Sequence, residues 1–478
     1  MQNKIMLITY ANSLGKNLEE LNIVMNRYFE KAFGGIHILP FYPSSADRGF
    51  SPMTYKMVDP EFGDYDDLSK LGLNYELMYD FMINHISKSS DYFKDFIEKK
   101  EKSPYYDYFI KYSEFWDNGQ PTQDQIDKIY KRSPKAPYVD VTFADGSQDK
   151  LWCTFDKEQI DLDVRKDATK NFIKDNLEFL CKNGASLIRA DAFAYVTKKA
   201  NTNCFFIEPN VWDILEFVKS CTEKYNVEIL PEIHEHYSIQ KKISDKDYYV
   251  YDFHLPMIVL YTLYSGINTR LKEWLSIAPR KQYTTLDTHD GIGVVDVKDL
   301  LTDEEIEYTK EALYTRGANV KAVYNSTKYN NLDIYQINCT YYSALGDNDE
   351  AYLLSRAIQF FSPGIPQVYY VGLLAGKNDI ELLEKTKHGR DINRHNYSLE
   401  EIDKEVNKDV VRQLLKLMIF RNEYKAFNGQ LIIHDTPKDQ LHLSWQYEDY
   451  ACHLKADLKS YKFSISYREN NDIKLLEL

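Results

Sequence analysis

Eight short apolar runs recur along the chain, and helix-like patterns separate them. Near-continuous apolar character is typical of parallel strands that are buried on both faces. Eight such strands alternating with helices predict an α/β fold, the (β/α)8 TIM barrel. A doubly wound sheet alternates in the same way, but its nucleotide-binding form has no support, because no glycine-rich phosphate motif follows any run. The runs are 4–10, 35–39, 76–83, 186–191, 228–232, 249–253, 283–287 and 367–370.

The spacing of these runs is uneven, which indicates segments inserted into the barrel. About 100 residues separate the third run from the fourth, far more than one strand–helix unit needs. A second connection of more than the usual length follows the seventh run. Short β-like segments make up the C-terminal tail. The predicted segments are barrel 1–84, inserted domain B 85–166, barrel 167–290, inserted domain B′ 291–351, barrel 352–428 and a small C-terminal antiparallel β domain 429–478.

The overall charge and the cysteines narrow the class of protein. The formal net charge is −14, from 73 acidic and 59 basic residues, which argues against a general nucleic-acid binder. Six scattered cysteines without CxxC spacing predict free thiols in a reducing compartment. The longest apolar stretch, 256–263, is far shorter than the ~20 residues that span a bilayer, and the first apolar run is too short for an export signal. We therefore expect a cytoplasmic protein without membrane or nucleic-acid partners, as a monomer or a homodimer.

Three of the predicted strands end on a carboxylate. The fourth run ends at Asp191, the fifth ends at Glu232, and Asp290 follows the seventh. In a barrel, the carboxyl ends of the strands surround the mouth where catalysis is usually housed. Chemistry at an anomeric carbon needs one carboxylate to attack, one carboxylic acid to protonate and further charge to steady a cationic transition state. The three strand ends therefore predict a site for this chemistry.

The residues beside these carboxylates fit the same interpretation. Arg189 and Asp191 lie two apart on one strand and point to the same side, so we expect the guanidinium to keep the carboxylate ionised, as a nucleophile requires. The apolar approach to Glu232 suits a group that arrives protonated. His289 beside Asp290 suits the binding of neighbouring sugar hydroxyls. The Arg189–Asp191 pair alone favours a structural role, and it is the combination of the three strand ends that favours catalysis.

A metal-dependent hydrolase is the rival interpretation. His234 and His236 flank Glu235, and an HxH pair at a strand end is how many barrel hydrolases hold zinc. Such a site needs further histidines at later strand ends. His289 is available, but the ends of strands one, six and eight offer none apart from His254, so the ligand count disfavours this interpretation. A barrel that has lost catalysis and only binds a partner is disfavoured by the presence of all three carboxylates.

Several motifs resemble those of known enzymes. Residues 80–85, 184–192, Glu232 and 288–290 resemble, in order, the four sequence regions of the α-amylase superfamily of glycoside hydrolases, and 159–163 resembles its additional region. Within that superfamily, the closer resemblance is to the sucrose phosphorylases. It runs from the first strand to about residue 394 and fades in the tail. The motifs that carry it are 6–11, 35–41, 47–50, 331–336, 364–372 and 389–395.

The resemblance implies a reaction and roles for the matching residues. The reaction is retaining phosphorolysis of sucrose by inorganic phosphate, which yields α-D-glucose 1-phosphate and D-fructose through a covalent β-glucosyl–aspartate. Asp191 is implied as nucleophile, Glu232 as acid and base, and Asp290 as transition-state stabiliser. Neither a cofactor nor a catalytic metal is implied. The implied sugar-binding residues are Asp47, Phe50, His85, Phe155, Arg189, Tyr195, His234, His289, Asp333, Tyr335, Gln336 and Arg394.

The acceptor side leaves alternatives open. Arg132 and Lys135 belong to the basic cluster near the predicted mouth and are expected on the phosphate side, although some relatives carry their arginine nearer the position of Ser133. Phosphorolysis of sucrose 6′-phosphate or of a glucosylglycerate, and hydrolysis by an α-glucosidase, use the same carboxylates. Asp333 and Gln336 favour an uncharged fructose, because a phosphorylated leaving group needs added positive charge.

Overall fold

The computed structural model describes residues 2–132, 135–318, 336–470 and 472–478. Its strands are β1 Met6–Thr9, β2 Gly35–Ile38, β3 Glu76–Met82, β4 His85–Ser87, β5 Tyr138–Thr142, β6 Gln148–Trp152, β7 Gln159–Asp161, β8 Ala185–Asp191, β9 Glu228–Pro231, β10 Val250–Asp252, β11 Gln282–Thr284, β12 Ile292–Gly293, β13 Gln336–Ile337, β14 Ile365–Tyr369, β15 Gln430–Ile433, β16 Gln440–Tyr447, β17 Tyr450–Asp457, β18 Phe463–Glu469 and β19 Asp472–Leu475.

Eight parallel strands form the central sheet of the described part of the chain. Their order is β10-β11-β14-β1-β2-β3-β8-β9, and the two end strands, β9 and β10, also contact each other. The sheet therefore curves into a nearly closed barrel, and the predicted TIM barrel is confirmed. Each predicted apolar run overlaps one of these strands.

Amphipathic helices connect the barrel strands. In the helix Asp167–Lys182, the side chains of Phe172, Ile173, Leu177 and Leu180 recur every three or four residues and are buried, as expected for one face of a helix. Within the described ranges, no helix has the length and apolar character that crossing a membrane requires. The helices are α1 Leu18–Val24, α2 Tyr65–Gly72, α3 Asp91–Lys99, α4 Tyr112–Phe115, α5 Gln123–Lys128, α6 Asp167–Lys182, α7 Asn210–Thr222, α8 Tyr237–Ser244, α9 Leu255–Ser265, α10 Thr269–Ile277, α11 Asp303–Thr315, α12 Tyr341–Ala344, α13 Asp349–Phe361, α14 Tyr370–Leu373, α15 Ile380–Thr386, α16 Leu399–Glu405 and α17 Asp409–Glu423.

The inside of the barrel changes from apolar to charged along the strands. Side chains two residues apart on a strand share a face. Asp80, Arg189 and Glu232 each come two residues after a member of a buried apolar layer. They therefore lie on the same face as that layer, closer to the carboxyl ends of the strands. The core ends where the candidate site begins. The apolar layer consists of Met6, Met78, Leu187, Leu230, Tyr251, Phe253, Tyr283 and Ile365.

The seventh barrel strand is shorter than predicted. β11 ends at Thr284, whereas the apolar run extends to Asp287. Both carboxylate oxygens of Asp287 accept hydrogen bonds from Nη2 of Arg356, at 2.8 and 2.7 Å. Arg356 is a fully buried residue of α13, so Asp287 compensates the charge of an internal cation.

Two irregular segments flank the mouth. Between β3 and β8, the antiparallel pairs β4–β7 and β5–β6 accompany α3, α4 and α5. After β11, the short strands β12 and β13 pair Ile292 with Ile337. The division of the chain at 85, 166, 291 and 351 stays a prediction. The predicted sugar-binding residues Asp333 and Tyr335 lie outside the described residues.

The tail forms the predicted antiparallel sheet, in the order β15-β16-β17-β18-β19. Alternate side chains of β16 and β17, including Leu441, Leu443, Trp445, Cys452 and Leu454, are buried on one face. This period of two is the pattern of a sheet with one covered face.

Candidate active site

Arg189 organises the charged layer above the apolar core. Its Nη1 donates hydrogen bonds to Oδ1 of Asp191, at 2.9 Å, and to Oδ1 of Asp80. Its Nη2 lies 3.7 Å from Oε1 of Glu232, and Oδ2 of Asp80 lies 2.7 Å from Nε2 of His37. One buried guanidinium thus joins carboxylates on or next to three different strands, and two of them, Asp191 and Glu232, belong to the predicted set. The role of Asp80 and its partner His37 was not predicted.

The carboxyl group of Asp191 has a raised pKa within this network. Burial raises its pKa, Arg189 acts against burial, and the negative charges of Glu232, Asp80 and Asp290 raise it further, to about 8. The prediction that Arg189 keeps this carboxylate ionised considered one neighbour only. Because that arginine is shared among several carboxylates, it does not suffice, and the cluster retains a proton at neutral pH.

Glu232 is held from two sides. Its Oε2 accepts a hydrogen bond from the N–H of Ala192 at 2.9 Å, and its Oε1 lies 3.3 Å from Nε2 of His234. Ala192 has a left-handed backbone, with φ of 52°, which turns the chain after β8. Nδ1 of His234 lies 3.2 Å from Oδ2 of Asp296, and its ring stacks on Phe253 with centroids 3.8 Å apart. Sequence reasoning missed Asp296, because nothing near that residue resembles a catalytic motif.

The pKa of His234 follows from these contacts. Burial lowers the pKa, but Asp296 and Glu232 outweigh burial, so the net shift is upward. The imidazole therefore sits between two carboxylates as a group that can share a proton with Glu232.

Asp290 is surrounded by two arginines and a histidine. Its Oδ1 lies 3.1 Å from Nη1 of Arg390 and 3.9 Å from both Nη2 of Arg394 and Nε2 of His289. Burial raises the pKa of this carboxyl group, but Arg390 and then His289 and Arg394 hold the pKa well below its usual range. Nη1 of Arg390 also lies 3.8 Å from Oδ1 of Asp47. Arg390 was missed as an individual residue, although it belongs to the motif 389–395.

Several of the predicted sugar-binding residues form an aromatic wall around Phe50. Its ring stacks on His289 with centroids 4.9 Å apart and an interplanar angle of 7°. Its carbonyl oxygen is 2.9 Å from Nε2 of His85 and accepts a 2.8 Å hydrogen bond from Nε2 of Gln159. Burial lowers the pKa of both histidines, so both present neutral imidazoles.

A strained turn sets the position of Phe50. Asp47, Arg48 and Gly49 all have positive φ, at 52°, 47° and 106°. A Cβ on Gly49 would lie 2.3 Å from the carbonyl oxygen of Pro40, so this position excludes every other residue type. The loop therefore presents Phe50 in one fixed orientation.

Phe155 continues the aromatic wall toward the mouth. Its ring lies edge-on to His85, with centroids 5.5 Å apart, and to Tyr195, with centroids 5.1 Å apart. The guanidinium carbon of Arg132 lies 5.8 Å from the centre of the Phe155 ring, which brings one predicted phosphate-side residue to the wall. Lys135, the other, has an exposed side chain.

The remaining predicted residues lie around this core of the site. Nε of Arg394 donates a 2.9 Å hydrogen bond to the carbonyl oxygen of His289. Gln336 pairs with Gly293 on the β12–β13 ribbon. Gly293 follows closely after Asp290 in the sequence. The described residues thus bring the three carboxylates and most of the predicted sugar-binding side chains to one end of the barrel.

The two histidines of the rival metal site have different partners. His234 lies between Glu232 and Asp296, whereas Nε2 of His236 lies 3.2 Å from Oδ2 of Asp299, an exposed residue. The rings therefore engage separate carboxylates and do not converge on a shared point.

Comparisons with known proteins agree with this geometry. The family model described as "Alpha amylase, catalytic domain" matches residues 27–416. Sucrose phosphorylase of Streptococcus mutans is 56% identical over 471 residues, with 98% of each chain covered. Sucrose 6(F)-phosphate phosphorylase of Thermoanaerobacterium thermosaccharolyticum is 46% identical, again with 98% of each chain covered. A crystal structure of sucrose 6F-phosphate phosphorylase from Thermoanaerobacter thermosaccharolyticum superposes with a TM-score of 0.95 at 45% identity, covering 99% of this chain and 98% of the other.

Proposed function

The chain belongs to the alpha-amylase family, and from that premise we propose that it is a sucrose phosphorylase, a retaining glycosyltransferase acting on sucrose and inorganic phosphate. The observation that carries this proposal is the network in which Arg189 contacts both Asp191 and Glu232. The identity of 56% to a named sucrose phosphorylase supports phosphate as the acceptor.

The first half-reaction breaks the bond between glucose and fructose. An oxygen of Asp191 attacks the anomeric carbon, while Glu232 donates its proton to the departing fructosyl oxygen. The products of this step are the β-glucosyl ester of Asp191 and free fructose. Because Asp191 titrates together with the carboxylates beside it, a shift of the shared proton from Asp191 to Glu232 gives the ionised nucleophile and the protonated acid that this step needs.

Asp290 has a different role in the same step. Its pKa is lowered by the cations around it, so it stays ionised and stabilises the positive charge that develops on the sugar ring. Because Arg390 and Arg394 already lie beside one oxygen of Asp290 before substrate arrives, this stabilisation needs little rearrangement.

The second half-reaction returns the glucosyl group to an acceptor. A phosphate oxygen attacks the anomeric carbon, the ester bond to Asp191 breaks, and Glu232 takes the proton from the phosphate. The two inversions restore the α configuration and give α-D-glucose 1-phosphate. His234, held by Asp296, lies beside Glu232 and supports this proton exchange.

The phosphate side is proposed to include Arg132. Its guanidinium lies over Phe155, at the edge of the proposed glucose site, where a positive charge attracts a phosphate dianion. Arg132→Ala is expected to raise the KM for phosphate by ~10-fold with little change in the KM for sucrose. Arg412→Ala, at an exposed arginine of α17, is the matched control. An unchanged KM for phosphate in Arg132→Ala removes that residue from the proposal.

One assay tests the proposal as a whole. The protein is incubated with sucrose and phosphate, and fructose, glucose and glucose 1-phosphate are followed by NMR. Equal formation of fructose and glucose 1-phosphate is expected. Release of glucose without the phosphate ester identifies an α-glucosidase, and activity abolished by a chelator revives the metal hydrolase.

A second arm of this assay tests the leaving group. Sucrose 6′-phosphate is included because the protein of the superposed structure is named for it, and a glucosylglycerate covers the third alternative. A higher kcat/KM for either compound than for sucrose overturns the proposed substrate but leaves the retaining phosphorylase in place.

We further propose a cytoplasmic location. All six cysteines are buried and unpaired, which fits a reducing compartment. The proposed site is built from one chain, so a monomer and a homodimer are both compatible with it.

A further inference from the structure

Three histidines meet on the C-terminal sheet, far along the chain from the proposed catalytic residues. His434 follows β15, His442 lies on β16 and His453 lies on β17. One ring nitrogen of each lies within 4.8 Å of the others. All three side chains are partly exposed, so the group is open to ions from solvent.

The register of the sheet creates this grouping. The N–H of His434 donates a 3.0 Å hydrogen bond to the carbonyl oxygen of His442, and His453 is paired with Ser444, two residues beyond His442. Since side chains two apart share a face, the three rings project from the face opposite the buried leucines of the same strands. Nε2 of His434 lies 2.8 Å from Oγ of Ser444, which fixes the orientation of that ring.

The distance between two of the three ring nitrogens matches the separation expected around a shared metal ion. Nε2 of His442 lies 3.2 Å from Nδ1 of His453. Zinc binds imidazole nitrogens at roughly 2.0–2.1 Å in tetrahedral geometry, which separates two ligand nitrogens by roughly 3.3 Å. The rings of His434 and His442 stack with centroids 3.7 Å apart, so His434 must give up its hydrogen bond with Ser444 and turn its ring to direct a nitrogen at the same ion.

The protonation state suits metal binding. Metals bind the neutral imidazole, and burial together with the neighbouring rings lowers the pKa of His442 to about 4. The pKa values of His434 and His453 are also lowered, first by burial. Lys455, which faces the same group, contributes to each of these shifts and opposes a bound cation. The cation must therefore bind through strong nitrogen bonds and not through charge alone.

We propose that His434, His442 and His453 bind one divalent cation of the zinc class, which ties together three neighbouring strands of the C-terminal sheet. Three imidazole ligands favour Zn²⁺, Ni²⁺ or Cu²⁺ over Mg²⁺ and Ca²⁺, which prefer oxygen. A water molecule completes the tetrahedron on the open face. The ion is structural, and the proposed sugar chemistry does not require it.

The test measures Zn²⁺ binding by the full-length chain after treatment with a chelator. Competition with a chromophoric chelator is expected to give about one Zn²⁺ per chain, with Mg²⁺ unable to compete. Saturating Zn²⁺ is expected to raise the Tm by about 1–3 °C. In His442→Gln and in His453→Gln, the affinity is expected to fall by at least ~100-fold, and the Tm increase is expected to disappear.

His236→Gln is the matched control, because His236 is a partly exposed histidine of the rival HxH pair. It is expected to keep the wild-type stoichiometry and the Tm increase. The proposal is overturned if the wild-type chain binds no Zn²⁺, if His236→Gln loses the ion, or if the two cluster variants keep it. Circular dichroism at the starting temperature confirms that each variant is folded, and the wild-type titration alone decides the matter if neither cluster variant folds.

Discussion

The barrel mouth and the C-terminal sheet each crowd together titratable groups of one kind, and the pKa values move in opposite directions. At the mouth, burial and neighbouring carboxylates raise the pKa of Asp191 to about 8. On the sheet, burial and neighbouring imidazoles lower the pKa of His442 to about 4. Both shifts favour the neutral form. The first cluster is thereby prepared for a transient cationic sugar, and the second for a permanent metal cation.

The two regions differ in how much compensating charge the protein supplies. Arg189 and Arg390 are placed among the carboxylates of the mouth. The charged groups that act on the histidine cluster are Lys455 and, at His453, Arg468, and both have the wrong sign to compensate a bound cation. The mouth therefore tolerates full burial of several charges. The histidine cluster remains neutral and partly exposed, and its further stabilisation depends on a metal ion from solution.

The largest expected effect comes from removing the group at the centre of the mouth. Asp191→Asn is expected to lower kcat by on the order of 10⁴-fold or more, because no ester can form. The rate of glucose 1-phosphate release from sucrose measures this. Asp91→Asn, at a side chain that is 98% exposed, serves as the control. Residual activity of Asp191→Asn near the wild-type rate would move the nucleophile elsewhere.

Glu232→Gln distinguishes a proton donor from a merely structural carboxylate. With sucrose, kcat is expected to fall by ~10²- to 10⁴-fold, because the fructosyl oxygen leaves poorly without a proton. With α-D-glucosyl fluoride, whose leaving group needs no proton, fluoride release in a single turnover is expected to stay within ~10-fold of the wild-type rate. Equal losses with both substrates would assign Glu232 to positioning.

The raised pKa of Asp191 predicts an alkaline limit to activity. Below about pH 8 the cluster retains the proton that Glu232 must donate. Above it the proton is lost, so kcat/KM for sucrose is expected to fall toward tenfold per pH unit. Initial rates between about pH 6 and about pH 10 measure this fall. A flat profile would show that the two carboxyl groups do not share a proton.

The smallest expected effect is on the stability of the histidine cluster in acid. Between about pH 4 and 6.5 the folded protein holds fewer protons on His442 than the unfolded chain does, so the free energy of unfolding falls as the pH falls through this window. Partial exposure limits the effect to ~1 kcal/mol. Thermal melts at either end of the window, with chelator present, are expected to show a smaller loss in His442→Gln than in wild type. The control is His388→Gln, at an exposed histidine outside the C-terminal sheet, which is expected to behave as wild type. Equal losses would contradict the lowered pKa.

Sequence patterns located the barrel and its carboxylates because both depend on short-range order. Apolar runs marked the strands, and a period of two placed Arg189 and Asp191 on one side of β8. Glu232 was found for the same reason, since it follows β9 directly. None of these inferences requires knowledge of how distant segments pack.

The features that could not be predicted from the sequence depend on contacts between segments that are far apart along the chain. Asp290 and Arg390 are 100 residues apart and meet at 3.1 Å, so the pattern around either residue could not predict the pairing. The raised pKa of Asp191 escaped prediction because only Arg189 was visible beside it in sequence. The histidine cluster depends on the exact pairing of β16 with β17, and the tail could be predicted only as a series of β-like segments.

The apolar layer at the base of the barrel also has a kinetic consequence. Met78, Leu187 and Leu230 close the floor directly beneath the charged layer, so substrates exchange through the mouth. Fructose must then depart along the route by which phosphate arrives, and the two cannot occupy it together. Double-reciprocal plots at several phosphate concentrations are therefore expected to be parallel. This is the ping-pong pattern of an enzyme that holds the glucosyl group covalently after the first product has left and before the second substrate binds.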